Sequence, residues 1–237
     1  MIISSTKTVR ELATEVPGAS RVFEKLGIDY CCGGSKSLEA ACTTAGVVVE
    51  DVVKSLKQTE NRQGKEFVNW QKDPLSRLVS YIVEKHHIFT KEELERLTRL
   101  LGKICSVHGK NHPELLRIER LFRDLKEELL SHMYKEEQIL FPFIAMLEEA
   151  IKQNRPAPMP PFRTLQNPIR MMLFEHDDAG EMLRKIRQAS SDFSVPADGC
   201  VSYKTLYQAL EAFEKDLHEH IHLENNILFP RAIEMEG

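Results

Sequence analysis

His132-Met-Tyr-Lys-Glu136-Glu-Gln-Ile-Leu-Phe-Pro142 is repeated near the C-terminus as His220-Ile-His-Leu-Glu224-Asn-Asn-Ile-Leu-Phe-Pro230. In each copy a histidine precedes a glutamate by four residues, and each copy closes with Ile-Leu-Phe-Pro. On a helix, positions four apart lie on one face a turn apart, so imidazole and carboxylate converge on one point. A single pair of this kind is more often a surface ion pair than a ligand pair. Two copies with the same trailing tetrapeptide favour metal ligation.

The apolar pattern around the copies sets the fold. Leu121, Leu125, Leu129, His132, Glu136, Leu140 and Phe143 recur in steps of three and four, as do Leu206, Leu210, Phe213, Leu217, His220, Glu224 and Ile227. The ligand pairs therefore lie within the buried stripes. Two further helices are predicted. Asp73-Pro74 caps one, whose stripe Leu75, Leu78, Val79, Ile82, Val83 arrives at His87 and turns His86 away. It runs on through Leu94, Leu97, Leu101 and Ile104, with a break near Thr90, and Gly102 and His108-Gly109 mark its end. The other starts at Asn167-Pro168 and carries Ile169, Leu173, His176, Gly180 and Leu183 on one face. Four amphipathic helices joined by loops make an all-α antiparallel four-helix bundle over 74–237. The Phe-Pro pairs should cut or kink the second and fourth helices.

Residues 1–60 read as a small helical N-terminal domain of short pieces, and 61–73, polar and charged, as a linker. Between the second and third pieces lies Gly27-Ile-Asp-Tyr-Cys31-Cys32-Gly-Gly34, a turn by its glycines. Adjacent cysteines are poorly placed to share one tetrahedral zinc, which usually takes spacings such as Cys-x2-Cys. Cys31 and Cys32 read equally as accessible, reactive or iron-handling thiols and as two small buried hydrophobes. Five cysteines in a chain of this length do not make a disulfide framework.

The inward-facing set is His87, His132, Glu136, His176, His220 and Glu224. Six nitrogen and oxygen ligands exceed one zinc site and suit two ions with bridging carboxylates, leaving an octahedral ion one open position. Iron or manganese fits this ligand set, and zinc stays open because affinity alone does not select iron. His86, His108, His112, His218 and His222 fall outside it, and Glu128 and Glu175 stand where they could orient a ligand or pair at the surface.

A formal charge of -4 and a pI of about 6.2 give no basic field for nucleic acid or anionic lipid. No apolar run approaches a membrane span, and the first ten residues lack a signal-peptide plan, so a cytoplasmic protein is expected. No nucleotide-binding glycine motif is present, so any electrons must come from a partner.

Asp29-Tyr-Cys-Cys-Gly-Gly34, Glu-Glu-Gln-Ile-Leu-Phe-Pro, Glu175-His-Asp-Asp-Ala-Gly180 and Leu-Glu-Asn-Asn-Ile-Leu-Phe-Pro together resemble the di-iron iron-sulfur cluster repair proteins, the repair-of-iron-centres family of ScdA and YtfE type. The resemblance implies a hemerythrin-like bundle. It implies two iron ions with an oxo or hydroxo bridge, held by the six residues above with both glutamates bridging, and a part for Cys31 and Cys32. It also implies repair of iron-sulfur proteins damaged by nitric oxide or peroxide, through release of iron. A di-iron enzyme reducing nitric oxide or oxygen is the alternative. Pairing of the N-terminal domain with the bundle of its own chain, or with that of a second in a homodimer, stays open.

Overall fold

The computed structural model describes residues 3–60 and 70–236. Among these it is helical with no named strand; the only β-type contact is one isolated bridge, Thr8 with Ser37. The predicted linker falls largely on 61–69, outside the described residues. The chain divides into two compact units, Met1–Leu78 with His218–Gly237, and Val79–Leu217, and the division falls inside two helices.

In the first unit four short helices, α1 (Val9–Glu15), α2 (Ala19–Lys25), α3 (Leu38–Ala45) and α4 (Val49–Glu60), enclose a core of Val9, Leu12, Phe23, Leu38, Cys42, Val52 and Leu56. Two of the starts have a local side-chain cause. Thr8 and Glu11 form a reciprocal capping box at α1, and Ser37 accepts the Ala40 N–H at α3. Gly46 ends α3 in the left-handed conformation (φ 68°) that a glycine adopts without strain. Fully burying one leucine or phenylalanine contributes about 1.5–3 kcal/mol, so each of these side chains weighs heavily in so small a core.

The second unit is built on the end of α5 (Leu75–Tyr81), on α6 (Ile88–His108), α7 (Glu114–Lys135), α8 (Phe141–Lys152) and α9 (Gln166–Ala189), and on α10 (Val201–Leu223) as far as Leu217. Glu95 pairs with Lys126 and His87 with Glu137, which runs α7 antiparallel to α6. His86 pairs with Asp216 and His108 meets Cys200, which does the same for α10. Phe122 and Phe213 meet edge to face at 5.7 Å between them. The bundle expected from periodicity is present. Its faces differ in detail: Phe122 is buried where the stripe has Leu121, and on α9 Met172 is buried while Leu173 is 36% exposed.

The predicted cut at the Phe-Pro pairs takes a specific form. A π turn, Glu136–Leu140, joins α7 to α8, and another, Glu224–Leu228, joins α10 to α11 (Phe229–Glu236). In each, the phenylalanine N–H reaches back five residues to the glutamate's carbonyl, Phe141 to Glu136 and Phe229 to Glu224. The proline that follows has no N–H for the ordinary helical bond, which removes one reason to keep α-helical register. A third π turn, Ile82–His87, joins α5 to α6 with no proline beside it. The expected helix end at Gly102 is absent: α6 passes through it and stops at His108.

Candidate metal centre and thiol turn

Each π turn carries or ends on a candidate ligand: His87 closes the first, Glu136 opens the second and Glu224 the third. Widening the helix by one residue re-aims a side chain without ending the rod, and such turns recur at functional sites.

In the Val79–Leu217 unit, His87, His132, Glu136 and His176 come together, none more than 3% exposed. The Glu136 carboxylate faces two imidazoles with different oxygens: Oε1 lies 3.3 Å from His132 Nε2 and Oε2 lies 3.4 Å from His87 Nε2. His132 Nε2 and His176 Nε2 are 3.0 Å apart. Two imidazole nitrogens at that distance need a proton or a cation between them, because two lone pairs repel. Ligand atoms held about 2.1 Å from one ion at near-right angles lie about 3 Å apart, so these spacings match a shared ion. In the other unit, His220 Nε2 lies 3.0 Å from Glu224 Oε1, with both side chains buried.

Carboxylates hold the imidazoles from behind. His87 Nδ1–H donates to Glu137 Oε1 at 2.7 Å, and His132 Nδ1–H donates to Glu175 Oε2 at 2.8 Å. Each bond favours the tautomer that leaves the Nε2 lone pair facing the cluster. Glu137 also takes Lys91 at 2.6 Å, and Glu175 takes Lys135. The His132 hydrogen bond, aided by Lys135 and opposed by burial, lowers the Glu175 carboxyl to about 2. Burial pushes Glu137 up, but Lys91 and His87 outweigh it and the net shift is downward. Both carboxylates are therefore favoured in their charged form.

His86 differs from the sequence reading. It is fully buried, with Nδ1 3.1 Å from Asp216 Oδ2, because the π turn at 82–87 rotates both histidines inward. Glu128 is exposed, its carboxyl raised by partial burial and by Asp178, Asp124 and Glu175. Glu137 was not marked by periodicity. The signal for it was the repeat itself, whose copies diverge just after the ligand glutamate: Glu137-Gln138 in one, Asn225-Asn226 in the other.

That divergence builds the thiol turn in the first unit. Asp29 Oδ1 accepts the backbone N–H of Cys32 and of Gly33, each at 3.0 Å, and lies 3.5 Å from Cys31 Sγ. Asp29, Cys31 and Cys32 each offer a ligand atom within 4.8 Å of the others, and the two sulfurs are 3.8 Å apart. The neighbouring Cys32 sulfur, then burial, push the Cys31 thiol well above the ordinary thiol range. Cys31 is buried and Cys32 partly exposed, so Cys32 is the one of the pair that solvent reaches. Asn225 Nδ2 donates to Cys31 O at 3.2 Å and Asn226 Nδ2 to Tyr30 O at 2.9 Å. His222, left outside the ligand set by sequence, is buried against the Tyr30 ring at 5.4 Å, and burial followed by Arg10 lowers it to about 4.

A helical bundle that buries imidazoles and carboxylates on facing helices defines a cation-binding protein, and the hemerythrin HHE cation binding domain matches residues 78–232, a span containing all six candidate ligands. A domain of unknown function, DUF542 (ScdA_N), matches residues 5–60. The chain is 36% identical over 226 residues to a probable iron-sulfur cluster repair protein of Haemophilus influenzae, covering 94% of this chain and 95% of that one. It is 35% identical over 223 residues to the iron-sulfur cluster repair protein YtfE of Citrobacter koseri, 94% of each. With the iron-sulfur cluster repair protein ScdA of Staphylococcus epidermidis it shares 28% over 232 residues, 98% of this chain and 100% of the relative. The chain belongs to this family of two-domain hemerythrin-type proteins. No described helix is long and apolar enough to cross a membrane.

Proposed function

We propose that this chain repairs iron-sulfur clusters damaged by nitrosative or oxidative stress, by supplying iron from a di-iron centre of His87, His132, Glu136, His176, His220 and Glu224. One observation carries the reading: the two oxygens of Glu136 face two different imidazoles, 3.3 and 3.4 Å away, as a carboxylate bridging two ions would. Glu224, at the equivalent place in the second copy of the repeat, would be the second carboxylate to hold the ions, and His220 the fourth imidazole. The family domain spans all six. The relatives' names supply the clients, damaged iron-sulfur proteins, and a cytoplasmic setting goes with them.

The donor set fits iron, since a mixed imidazole and carboxylate environment suits a borderline cation and no thiolate competes within the bundle's cluster. Bound there, the ion pair supplies exchangeable iron and an open coordination position for nitric oxide or oxygen. The chain's own part is to hold and release. Glu137 and Glu175 keep Nδ1–H of His87 and His132 engaged, so Nε2 presents a lone pair to the cation and takes a proton when the cation leaves. Two buried carboxylates set against the cations limit the charge that the bundle must tolerate. Cys31 and Cys32, on a turn fixed by Asp29, are the thiols that act with the released iron.

Metal analysis of freshly purified protein should give about two irons per chain. The loaded protein should reactivate a cluster enzyme damaged by nitric oxide, and Glu136→Ala should lose both the iron and the reactivation. Cys31→Ala with Cys32→Ala should keep the iron and lose most of the reactivation. Full reactivation by iron-free Glu136→Ala protein would refute the proposal. Sustained nitrous oxide production over many turnovers would assign a reductase instead.

A further inference from the structure

We infer that Asn225 and Asn226 are positioning residues that clamp the Cys31–Cys32 turn to the π turn carrying Glu224, coupling the state of the thiols to a metal ligand. The inference deepens the proposed function and rests on its reading of Glu224 as a ligand.

Asparagine is a poor helix former and a costly residue to bury, since its amide offers two donors and an acceptor that each need a partner. Here two in succession are 5% and 4% exposed. Their partners come from far along the chain. Asn225 Nδ2 donates to Cys31 O, 194 positions away, and Asn226 Nδ2 to Tyr30 O, 196 away. Asn226 Oδ1 accepts Arg10 Nε at 2.7 Å, and His222 Nδ1 lies 2.7 Å from Asn226 Nδ2. The amide is thus satisfied from α1, from the thiol turn and from its own helix.

The glycines of the turn fit the same clamp. A Cβ at Gly34 would stand 3.1 Å from Tyr30 O, 3.2 Å from Asn226 Oδ1 and 3.3 Å from Arg10 Cβ. The turn comes that close to the asparagine because no side chain intervenes. Glu224, Asn225 and Asn226 are consecutive on one π turn, so a shift in the backbone of Cys31 reaches the ligand without crossing a loop. The residue equivalent to Asn225 in the first copy, Glu137, instead holds His87, so that position serves a candidate ligand there too.

The test is the double variant Asn225→Ala with Asn226→Ala in the full, iron-loaded chain, with iodoacetamide alkylation followed cysteine by cysteine by mass spectrometry. Loss of the two hydrogen bonds to the turn's carbonyls, together with those of Asn226 to Arg10 and His222, should open the turn and raise Cys31 alkylation ~10-fold. Cys42, buried in the core of the same unit, is the control and should keep its native rate. A Cys31 rate equal to the native one, or a parallel rise at Cys42 that reports general loosening, overturns the clamp. Coupling is read separately, as iron release to a chelator. In the native chain, alkylation of Cys32 should change that rate, and in the double variant the response should vanish. A native rate indifferent to the thiols, or a response kept in full by the variant, overturns the coupling. Should the native chain bind no iron, the function fails while the alkylation contrast still decides the clamp.

Discussion

Glu137→Ala tests whether the carboxylates behind the imidazoles are part of the metal site. Glu137 touches no candidate ion position. It holds His87 Nδ1 at 2.7 Å from outside the cluster and pairs with Lys91. Loss of such an orienting partner typically lowers metal affinity about 10–100-fold, or about 1.4–2.7 kcal/mol. The ion pair with Lys91 adds little to this, because that lysine side chain is 43% exposed and exposed pairs are worth about 0–1 kcal/mol. Glu137→Gln separates the two roles: it keeps an acceptor for Nδ1–H but loses the charge, and neutral hydrogen bonds have roughly half the strength of charged ones. Iron affinity, measured by competition with a chelator, should therefore fall in the order native, Gln, Ala, with the Gln variant a fewfold below native. Iron binding by Glu137→Ala within twofold of native, or equal losses in Ala and Gln, would refute the reasoning.

Gly34→Ala forces a Cβ to within 3.1 Å of Tyr30 O and 3.2 Å of Asn226 Oδ1, and should destabilise the N-terminal unit by about 1–3 kcal/mol. A denaturant midpoint equal to the native one would contradict the close approach. At the end of the bundle formed by His108, His112 and Tyr203, the Asp198 hydrogen bond raises the His112 pKa and lowers that of Asp198. The His112 contribution to stability is complete below its unfolded value of about 6.5 and is lost as pH rises through the raised folded value. The Asp198 contribution is complete above its unfolded value of about 3.9 and is lost as pH falls through the lowered folded value. Asp198→Asn should therefore cost most stability between those limits, and the difference between native and variant should shrink toward pH 9. A difference that is constant across that range, in paired chemical denaturation curves, would remove the ion pair from the account.

The sequence carried the bundle and its six inward residues because each lies on a face written in steps of three and four, and because the repeat states the ligand pairs twice. What it hid is the departure from that step. At Pro142 and Pro230 the missing N–H announces an irregularity, and a π turn is found at each. Before His87 no proline marks the turn, and a strict 3.6 period turns His86 outward when it is in fact buried on Asp216. Of the orienting groups, the sequence marks Glu175 as able to orient a ligand or to pair at the surface, and does not mark Glu137. Glu137 and Glu175 sit beside the stripes among ordinary helical charges, and only the partner across the bundle tells an orienting carboxylate from a solvated one.

The two copies of the repeat then explain one another. Shared residues, a histidine, a glutamate and Ile-Leu-Phe-Pro, set the buried histidine-glutamate pair and the π turn behind it. The two positions after the glutamate are free to differ, and they do so in chemistry suited to what lies opposite. A carboxylate meets an imidazole N–H in the first copy, and a pair of amides meets backbone carbonyls of the thiol turn in the second. Exchanging the chemistries would set a carboxylate against carbonyl oxygens, with no donor between them and repulsion in its place. The repeat is thus symmetric where cations are to be held and asymmetric where each copy meets its own neighbour.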